Sequence, residues 1–462
     1  MAEIDDLRQA AASKLDTQAG RSMTYQQYFD NEAGIIALLD TDERRTFRTF
    51  LAEAGANWCE LVVNAVAQRL QVVGFRFGDQ TASDAAWTLW QANSLDADAE
   101  MVQTDALVTG QGLLLVQPDD DNPTGVCITV ESPMQACVLY EPGNRRKRIA
   151  GYKRYSLDPY LDGFPVMAGG SVVEVLMTPD QIVTWWPGAS RNTPQIERNP
   201  AGVVGMVEVI PQPRTMGPPR SELTSAAPIQ DRINTTIFNR LVAIDFAAFR
   251  QIWATGVKIA QQVIKGEDGT TVTRVTAPFQ VGANRLLTNE DPAGRFGVIP
   301  ESMLTGYLAS VEQDVSHLAA ITQTPPSFVL GQMVNLSADA IIAAESGLVA
   351  KCGRRARHIG EGYEEAMRIA LLLTGNPGAA DTAAEVIWAP FQTQNLAQIA
   401  DAAVKMSTIG VPEPALWRRL GATEQEIEQW EEARASEPPP PPNVPAPTPP
   451  PPPTPEPAPI GA

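Results

Sequence analysis

The spacing of apolar residues at the start of the chain predicts helices. Between Leu51 and Leu70, apolar residues recur every three or four positions, which is the period of one buried helix face. The same period continues through Trp87, Trp90 and Leu107. The N-terminal region is therefore expected to be largely helical.

Beyond about residue 112 the pattern changes to that of strands. The runs 112–117 and 125–130 flank a turn of three aspartates, an asparagine and a proline, which predicts a β-hairpin. Further predicted strands are rich in β-branched or aromatic residues and end at Gly, Pro or charged turns: 136–140, 149–155, 172–177 and 182–186. We therefore expect an α+β region up to about residue 215.

Two amphipathic helices are predicted over residues 228–253 and 301–321. Each carries one apolar stripe: Ile229, Ile233 and Ile237 in the first, and Leu304, Leu308, Val311 and Val315 in the second. The intervening residues 256–300 contain short strand-like pieces separated by turns, which indicates a small separate module. Apolar stripes of this kind are also expected on helices that simply pack into the core of the folded chain.

Residues 322–336 predict an apolar loop after the second helix. Pro325 and Pro326 prevent the helix from continuing. The apolar side chains that follow are Phe328, Val329, Leu330, Met333 and Val334. Burial against neighbouring helices and exposure within an assembly both remain open for them.

A long helix is expected next, over residues 337–375. Ser337 fits its N-cap, and four glycines within it predict a bend. Three close cations on this helix, Arg354, Arg355 and Arg357, are expected to form ion pairs within the helix or between subunits, with Glu361, Glu364 or Glu365 as candidate partners. DNA contact is the alternative.

The last part of the chain divides into two short helical stretches, up to about residue 435, and a tail. Residues 437–462 contain 15 prolines in 26 positions. Such a composition predicts a disordered, extended tail rather than a packed core. It is interpreted as a solvated tail, with a ligand for a partner domain as the alternative.

The net charge of -19 narrows the class of partner. Tight nucleic-acid binding needs clustered lysine or arginine, which an acidic chain disfavours. An acidic wall nevertheless suits a passage along which DNA slides, because it does not hold phosphates. The basic run at residues 145–148 is interpreted as a solvated hairpin tip, with phosphate binding as the alternative.

Catalytic, metal and membrane chemistry are all disfavoured. The sequence has no phosphate-binding P-loop, no serine-elbow motif and no zinc-binding His-Glu-x-x-His motif. Its two histidines are not clustered, and its four cysteines lack CxxC spacing, as expected for buried reduced thiols. Asp119, Asp120 and Asp121 fit a solvated turn better than a cation site. We expect no cofactor, no signal peptide and no membrane span.

Two blocks of sequence resemble a known family. The first block is Ser221-Glu222-Leu223-Thr224 followed by residues 228–234 and 246–251, and the second runs from Thr324-Pro325-Pro326 through residues 330–331, 335–340 and 344–345 to Arg357-His358. Weaker similarity covers residues 28–30, 72–75 and 131–133. These blocks resemble the portal proteins of tailed double-stranded DNA bacteriophages, in the form common among siphophages of actinobacteria.

The resemblance implies an α+β, mainly helical portal fold. Its expected parts are an N-terminal arm (1–24), an α+β wing (25–224), a first stem helix (225–255), a clip (256–300), a second stem helix (301–321), a tunnel loop (322–336), a long wing helix (337–375), a helical crown (376–436) and the proline-rich tail (437–462). The apolar loop residues would then face a DNA channel.

The resemblance also implies a structural, non-enzymatic role. Family members form a ring, typically a dodecamer, at one capsid vertex, through which DNA is packaged and ejected. The implied partners are further copies of the chain, double-stranded DNA passing without sequence-specific binding, the terminase large subunit, head-tail connector proteins and the major capsid protein. The ring would be assembled in the host cytoplasm and reside in the virion. A minor capsid or adaptor protein is the alternative.

Overall fold

The computed structural model describes residues 2–32, 53–157, 172–188, 193–248, 252–255, 261–265, 271–275, 293, 295–298, 304–331, 338–392, 396–420, 422 and 424–435. The chain forms two compact units, residues 1–394 and residues 395–462. The proline-rich tail, the predicted N-cap Ser337, Met333 and Val334 lie outside the described residues.

The described part of the chain contains helices of very different lengths. In chain order they are α1 (Ala2–Phe29), α2 (Trp58–Ala67), α3 (Gln80–Ala92), α4 (Leu95–Thr109), α5 (Ala227–Ala248), α6 (Leu304–Thr322), α7 (Pro326–Leu330), α8 (Ala338–Leu373), α9 (Leu396–Thr408), α10 (Glu413–Arg419) and α11 (Glu424–Ala435). Short 3-10 turns lie at Glu222–Thr224 and Pro377–Ala380.

The described strands pair only in antiparallel fashion. They are β1 (Val72–Arg76), β2 (Gly112–Pro118), β3 (Val126–Glu131), β4 (Ala136–Glu141), β5 (Asn144–Ser156), β6 (Val172–Met177), β7 (Gln181–Trp185), β8 (Gln195–Arg198), β9 (Met206–Val209), β10 (Ile252–Thr255), β11 (Gln261–Lys265), β12 (Thr271–Val275), β13 (Arg295–Val298) and β14 (Glu385–Trp388). A five-stranded sheet has the order β4-β5-β6-β7-β8, and a three-stranded sheet has the order β3-β2-β9. The prediction of a mixed α+β fold is confirmed.

The main core lies around the long helix α8. Tyr363 of α8 and Trp90 of α3 are fully buried, with ring centroids 5.1 Å apart in an edge-to-face arrangement. The ring of Phe75 in β1 also packs on Trp90, with the two ring centroids 5.2 Å apart. The aromatic stack therefore joins α8, α3 and the small β1-β14 sheet.

The N-terminal segment is part of the folded unit, although the sequence indicated only an arm over residues 1–24. Helix α1 covers one face of the five-stranded sheet, where Ala11 and Leu15 pack with Tyr152 and Trp185. The Nε of Arg8 pairs with a carboxylate oxygen of Glu174 at 2.6 Å. The opposite face of the sheet packs against β2 and β9. The apolar residues of α1 are too widely spaced to predict this contact alone.

Helix α8 is helical throughout its 36 residues, so the four glycines that predict a bend do not interrupt it. Gly362 has a packing reason: a Cβ there would lie 3.0 Å from a methyl carbon of Val209 and 3.1 Å from the carbonyl oxygen of Glu208. Glycine lets the helix approach strand β9 closely. Its presence reflects this contact rather than a break in the helix.

The region predicted as a helical crown over 376–436 differs in its first part. Strand β14 lies within it and pairs with β1, so residues 376–392 belong to the first unit. In the second unit, α9, α10 and α11 are helical as expected, and Trp417 packs edge-to-face on Trp430 at 5.4 Å.

Candidate functional site

Helices α5 and α6 pack against each other, as the two apolar stripes required. Ile229, Ile233 and Ile237 of α5 are buried, and so is Val315 of α6. Arg232 pairs with Asp314 across the two helices at 2.8 Å. Beyond these helices, β10 pairs with β13 and β11 with β12, in the region expected to form the small module.

Polar side chains fix the start of α5 to the rest of the unit. The Oε1 of Gln230 accepts a hydrogen bond from the backbone N–H of Trp58 at 3.0 Å, and its Nε2 donates to Asn234 Oδ1 at 2.9 Å. The hydroxyl of Tyr28 donates to Asp231 at 2.8 Å. These contacts account for the polar residues of the block at residues 228–234.

Burial falls away toward the other end of the helix pair. Leu304 and Val311 are half-buried, and Leu308 remains 49% exposed. Ile244, near the end of α5, is also exposed. At the opposite end of α6, Ile321 in its last turn is exposed as well. One subunit therefore leaves several large apolar side chains of this pair in solvent, and such residues mark interaction surfaces when they cluster.

The segment predicted as a tunnel loop begins with a short helix, α7, rather than an irregular loop. Val329 is 8% exposed and belongs to the main core, so within one subunit it is buried against neighbouring helices. Its carbonyl oxygen accepts a hydrogen bond from the indole N–H of Trp58 at 3.3 Å. Phe328 is more exposed, and the guanidinium carbon of Arg69 lies 5.4 Å from the centroid of its ring.

A buried ion cluster joins the helix α8 to the turn at residues 222–224. One carboxylate oxygen of Glu222 lies 2.9 Å from Lys351 Nζ, and the other lies 2.5 Å from Arg355 Nε. Gln212 donates to the same carboxylate at 2.7 Å. Lys351 also donates to the carbonyl oxygen of Thr322, the last residue of α6, at 2.9 Å. We call these three charged residues, Glu222, Lys351 and Arg355, the junction cluster.

The electrostatics of the junction cluster keep Glu222 ionised. Burial alone raises the pKa of this carboxyl, but the adjacent Lys351 and Arg355 more than offset it and hold the pKa below its usual value. The hydroxyl of Ser221 caps the turn by accepting from the backbone N–H of Leu223 at 2.9 Å. The turn, the end of α6 and the middle of α8 thus meet at one buried carboxylate.

The geometry corrects the expected partner of Arg355, and the pairing of Arg354 and Arg357 between subunits stays a prediction. Arg355 pairs with Glu222, on a different element, rather than with Glu361, Glu364 or Glu365. Arg354 donates to the side-chain oxygen of Gln323 at 2.9 Å, and Arg357 is exposed. Glu365 is paired instead with Arg148 and Arg368, each at 2.5 Å.

The charged residues of the other two candidate sites make contacts within the chain. The basic run lies at the start of β5, next to the hairpin turn, as predicted, and Lys147 pairs with Glu141 at 2.7 Å. In the aspartate turn, Asp119 Oδ1 accepts from the backbone N–H of Asp121 at 3.0 Å. Over the described part of the chain, no group of three or more His, Cys, Asp or Glu side chains is placed to hold a metal ion.

The junction cluster was missed because its members are far apart in sequence. Glu222 stood in one of the two blocks noted above, but nothing local predicts that its partners lie about 130 residues later. The one available signal was a lysine and an arginine four positions apart on the apolar face of a predicted helix, where charged residues need a partner.

Comparison with known proteins identifies the family of the chain. A family model described as "Phage portal protein, SPP1 Gp6-like" matches residues 13–439. The portal protein of Mycobacterium phage L5 is 28% identical over 460 residues, covering 94% of this chain and 90% of that protein. The portal protein of Mycobacterium phage D29 is 29% identical over 410 residues, covering 84% of this chain and 81% of that protein.

Among solved structures, a chain from the virion of a native gene transfer agent particle matches with 14% identity and a TM-score of 0.41, over 84% of this chain and 91% of that chain. Because the family model spans most of the sequence, the class is defined: this is a structural component of a phage virion. The chain belongs to the phage portal protein family of the SPP1 Gp6-like type. None of the described helices has the length and apolarity of a membrane span.

Proposed function

We propose that copies of this chain form a closed ring, with twelve subunits, at one vertex of the capsid. The central passage admits double-stranded DNA during packaging and lets it out during ejection. The terminase large subunit docks on the ring during packaging, and head-tail connector proteins replace it afterwards. The major capsid protein surrounds it. The subunit plays a structural rather than catalytic part, and the ring is assembled in the host cytoplasm.

The exposed apolar side chains of the helix pair carry this proposal. A monomer gains nothing from leaving Ile244 and Leu308 in water, whereas neighbouring subunits in a ring bury them. We assign α5 and α6 to the stem, the strand pairs β10-β13 and β11-β12 to the clip, α8 to the wing and α9 to α11 to the crown. The tunnel loop then comprises the residues that follow α7, including Met333 and Val334.

The charge of the chain supports the mode of DNA passage. Twelve copies of a subunit with net charge -19 form a strongly acidic assembly. Such a wall repels phosphates instead of holding them, so DNA slides without electrostatic trapping. Arg354, the exposed Arg357 and the exposed face of the helix pair remain available to contact adjacent subunits.

A charge placed in the proposed subunit contact tests the ring. Leu308→Asp puts a carboxylate into an apolar interface, where burial of an unpaired charge is strongly unfavourable. Gln313→Asp adds the same charge at an exposed position of the same helix and serves as the control. Negative-stain images and mass photometry of the full chain report the outcome, and circular dichroism confirms folding.

We expect rings with a central hole for the wild type and for Gln313→Asp, and monomers for Leu308→Asp. Wild-type protein that stays monomeric at all salt and protein concentrations, or Leu308→Asp rings that form as readily as those of the control, would contradict the proposal.

A further inference from the structure

The second unit of the chain buries few apolar side chains. Among its described residues, the buried ones are Leu416 of α10, Ile427 of α11 and Ala422 between these two helices. A short helical unit has too little interior to bury all of its large apolar side chains. Some of them therefore stay in solvent unless another segment covers them.

The largest exposed apolar side chain described in this unit is that of Trp430 in α11. It is 42% exposed, and its ring packs edge-to-face on Trp417 of α10 with the centroids 5.4 Å apart. Trp417 is half-buried, and Leu420, just after α10, is 37% exposed. The two helices thus present a pair of indole rings to solvent. Exposed aromatic rings are the surface to which polyproline II segments bind.

The charges of α11 narrow the class of occupant. Its only basic residue, Arg434, is paired with Glu413. The helix also carries exposed acidic side chains, which are Glu426, Glu428, Glu431 and Glu432. Such an excess of negative charge disfavours a nucleic acid or an acidic partner. An uncharged apolar segment is favoured instead.

The chain itself supplies an uncharged segment of this kind next to the indole pair. Residues 438–455 contain no charged residue and include two runs of five prolines, 438–442 and 449–453. Helix α11 ends at Ala435, so only Ser436 and Glu437 separate it from the first run. Trp430 lies about 7.5 Å back along the helix axis from Ala435, and five prolines in a polyproline II helix span about 15 Å. A reversal of the chain at Ser436 and Glu437 is enough to bring the first run over Trp430.

We propose that the first proline run, residues 438–442, packs on the Trp417–Trp430 pair of its own subunit. The run covers the exposed face of Trp430 and completes a core that the helices alone leave open. Ordering it costs little conformational entropy, because proline already fixes φ before binding. The sequence alone favoured a solvated tail, and the exposed indole pair changes that interpretation. The contact lies within the second unit, so it stands or falls independently of the ring.

Hydroxyl-radical footprinting of the full chain, read by mass spectrometry, measures the exposure of each tryptophan. The comparison chain carries a glycine-serine sequence of equal length in place of residues 438–455, which keeps this segment uncharged. A tethered segment has an effective concentration of about 1 mM, so an intrinsic dissociation constant of about 1 mM covers the site half of the time. We therefore expect Trp430 to be oxidised at least about twofold more slowly in the wild type than in the comparison chain.

Trp186 is the internal control, because it is 40% exposed and lies in the first unit. Its oxidation should be the same in both chains, and circular dichroism verifies that both are folded. Equal oxidation of Trp430 in the two chains would overturn the proposal. A fast equal rate would mean an open surface, and a slow equal rate would mean that another part of the molecule or assembly covers it.

The two proline runs provide matched variants. Each run is replaced separately by five alternating glycines and serines, so both variants lose the same number of prolines from the same tail. Replacing residues 438–442 should speed the oxidation of Trp430, whereas replacing residues 449–453 should leave it unchanged, because effective concentration falls with the length of the tether. Equal effects of the two replacements, or a larger effect of the second, would contradict the assignment to the first run.

A mixture of two chains shows whose tail covers the site. Isotope-labelled comparison chain and unlabelled wild type are unfolded in urea, mixed and refolded together, and the peptides that contain Trp430 are then distinguished by mass. If each tail binds its own subunit, only the unlabelled peptide is protected. Equal protection of both peptides would mean that a tail reaches a neighbouring copy, and the proposed contact within one subunit would be wrong.

Discussion

Replacing Glu222 by glutamine is the sharpest test of how the junction cluster holds the fold. The substitution keeps the size of the side chain and its ability to accept a hydrogen bond from Gln212, but it removes the negative charge. The side chain of Lys351 is only 3% exposed, and after the substitution its remaining hydrogen-bond partner is the carbonyl oxygen of Thr322. The change therefore isolates the electrostatic part of the cluster.

The structure sets the magnitude of the effect. Removing one partner of a buried ion pair destabilises proteins by about 3–5 kcal/mol, because the remaining charge is left in a low-dielectric site. Arg355 is less deeply buried than Lys351 and regains part of its hydration. We therefore expect Glu222→Gln to lower the free energy of unfolding by about 3 kcal/mol. Adding Lys351→Met to it should restore part of this loss.

The contribution of Glu222 to the free energy of unfolding changes with pH in a defined direction. The pKa of Glu222 is lower in the folded chain than in the unfolded one, so its contribution to stability is present above the unfolded pKa of about 4.3 and is lost as the pH falls through the lower folded pKa. The difference between wild type and Glu222→Gln should thus be constant at neutral pH and should shrink in acid.

Urea unfolding followed by tryptophan fluorescence, at one protein concentration, measures this difference. Glu385→Gln is the control, because Glu385 and its partner Arg76 are 61% and 68% exposed and such surface pairs contribute little. A loss of stability in Glu222→Gln no larger than in Glu385→Gln would refute the reasoning.

Two further predictions concern packing and burial. Gly362→Ala should destabilise the chain by about 1–3 kcal/mol in the same urea assay, because the new methyl group crowds Val209 and the carbonyl of Glu208. Gly347→Ala is the control: the nearest atom to the new Cβ lies at 3.9 Å, so this variant should be neutral or stabilise the chain by up to about 1 kcal/mol. If both variants lose stability equally, close approach is not the reason for Gly362. Burial raises the pKa of Asp105 to about 7, so the folded state retains a proton there that the unfolded state releases, and stability falls as the pH rises from about 4 through 7. Asp105→Asn should therefore raise the melting temperature at pH 8 and leave it nearly unchanged at pH 4, and an equal shift at both values would contradict this.

Local periodicity predicted much of the fold because the elements concerned carry strong local patterns. The strand at residues 172–177 coincides with β6, and the stripe of Ile229, Ile233 and Ile237 is buried as expected. The predicted ends of helices were less accurate. The first stem helix was expected to reach Trp253, but α5 ends at Ala248 and β10 begins at Ile252.

The features that the sequence did not predict depend on contacts between distant residues. Strand β1 pairs with β14, so that Val72 lies opposite Trp388, and neither short strand has enough alternation to be recognised alone. The same holds for Arg355, whose nearest acids in sequence lie on its own helix while its actual partner is Glu222. The helix α7 and the burial of Val329 likewise depend on Trp58 and the core around it.

A cryo-EM reconstruction of the purified, assembled full chain tests the central claim most directly. The account predicts a closed ring in which α5 and α6 of every subunit surround the axis, with Ile244 and Leu308 buried against the adjacent subunit. A reconstruction without a central passage, or one in which these two side chains face solvent at the outer surface of the particle, would contradict it.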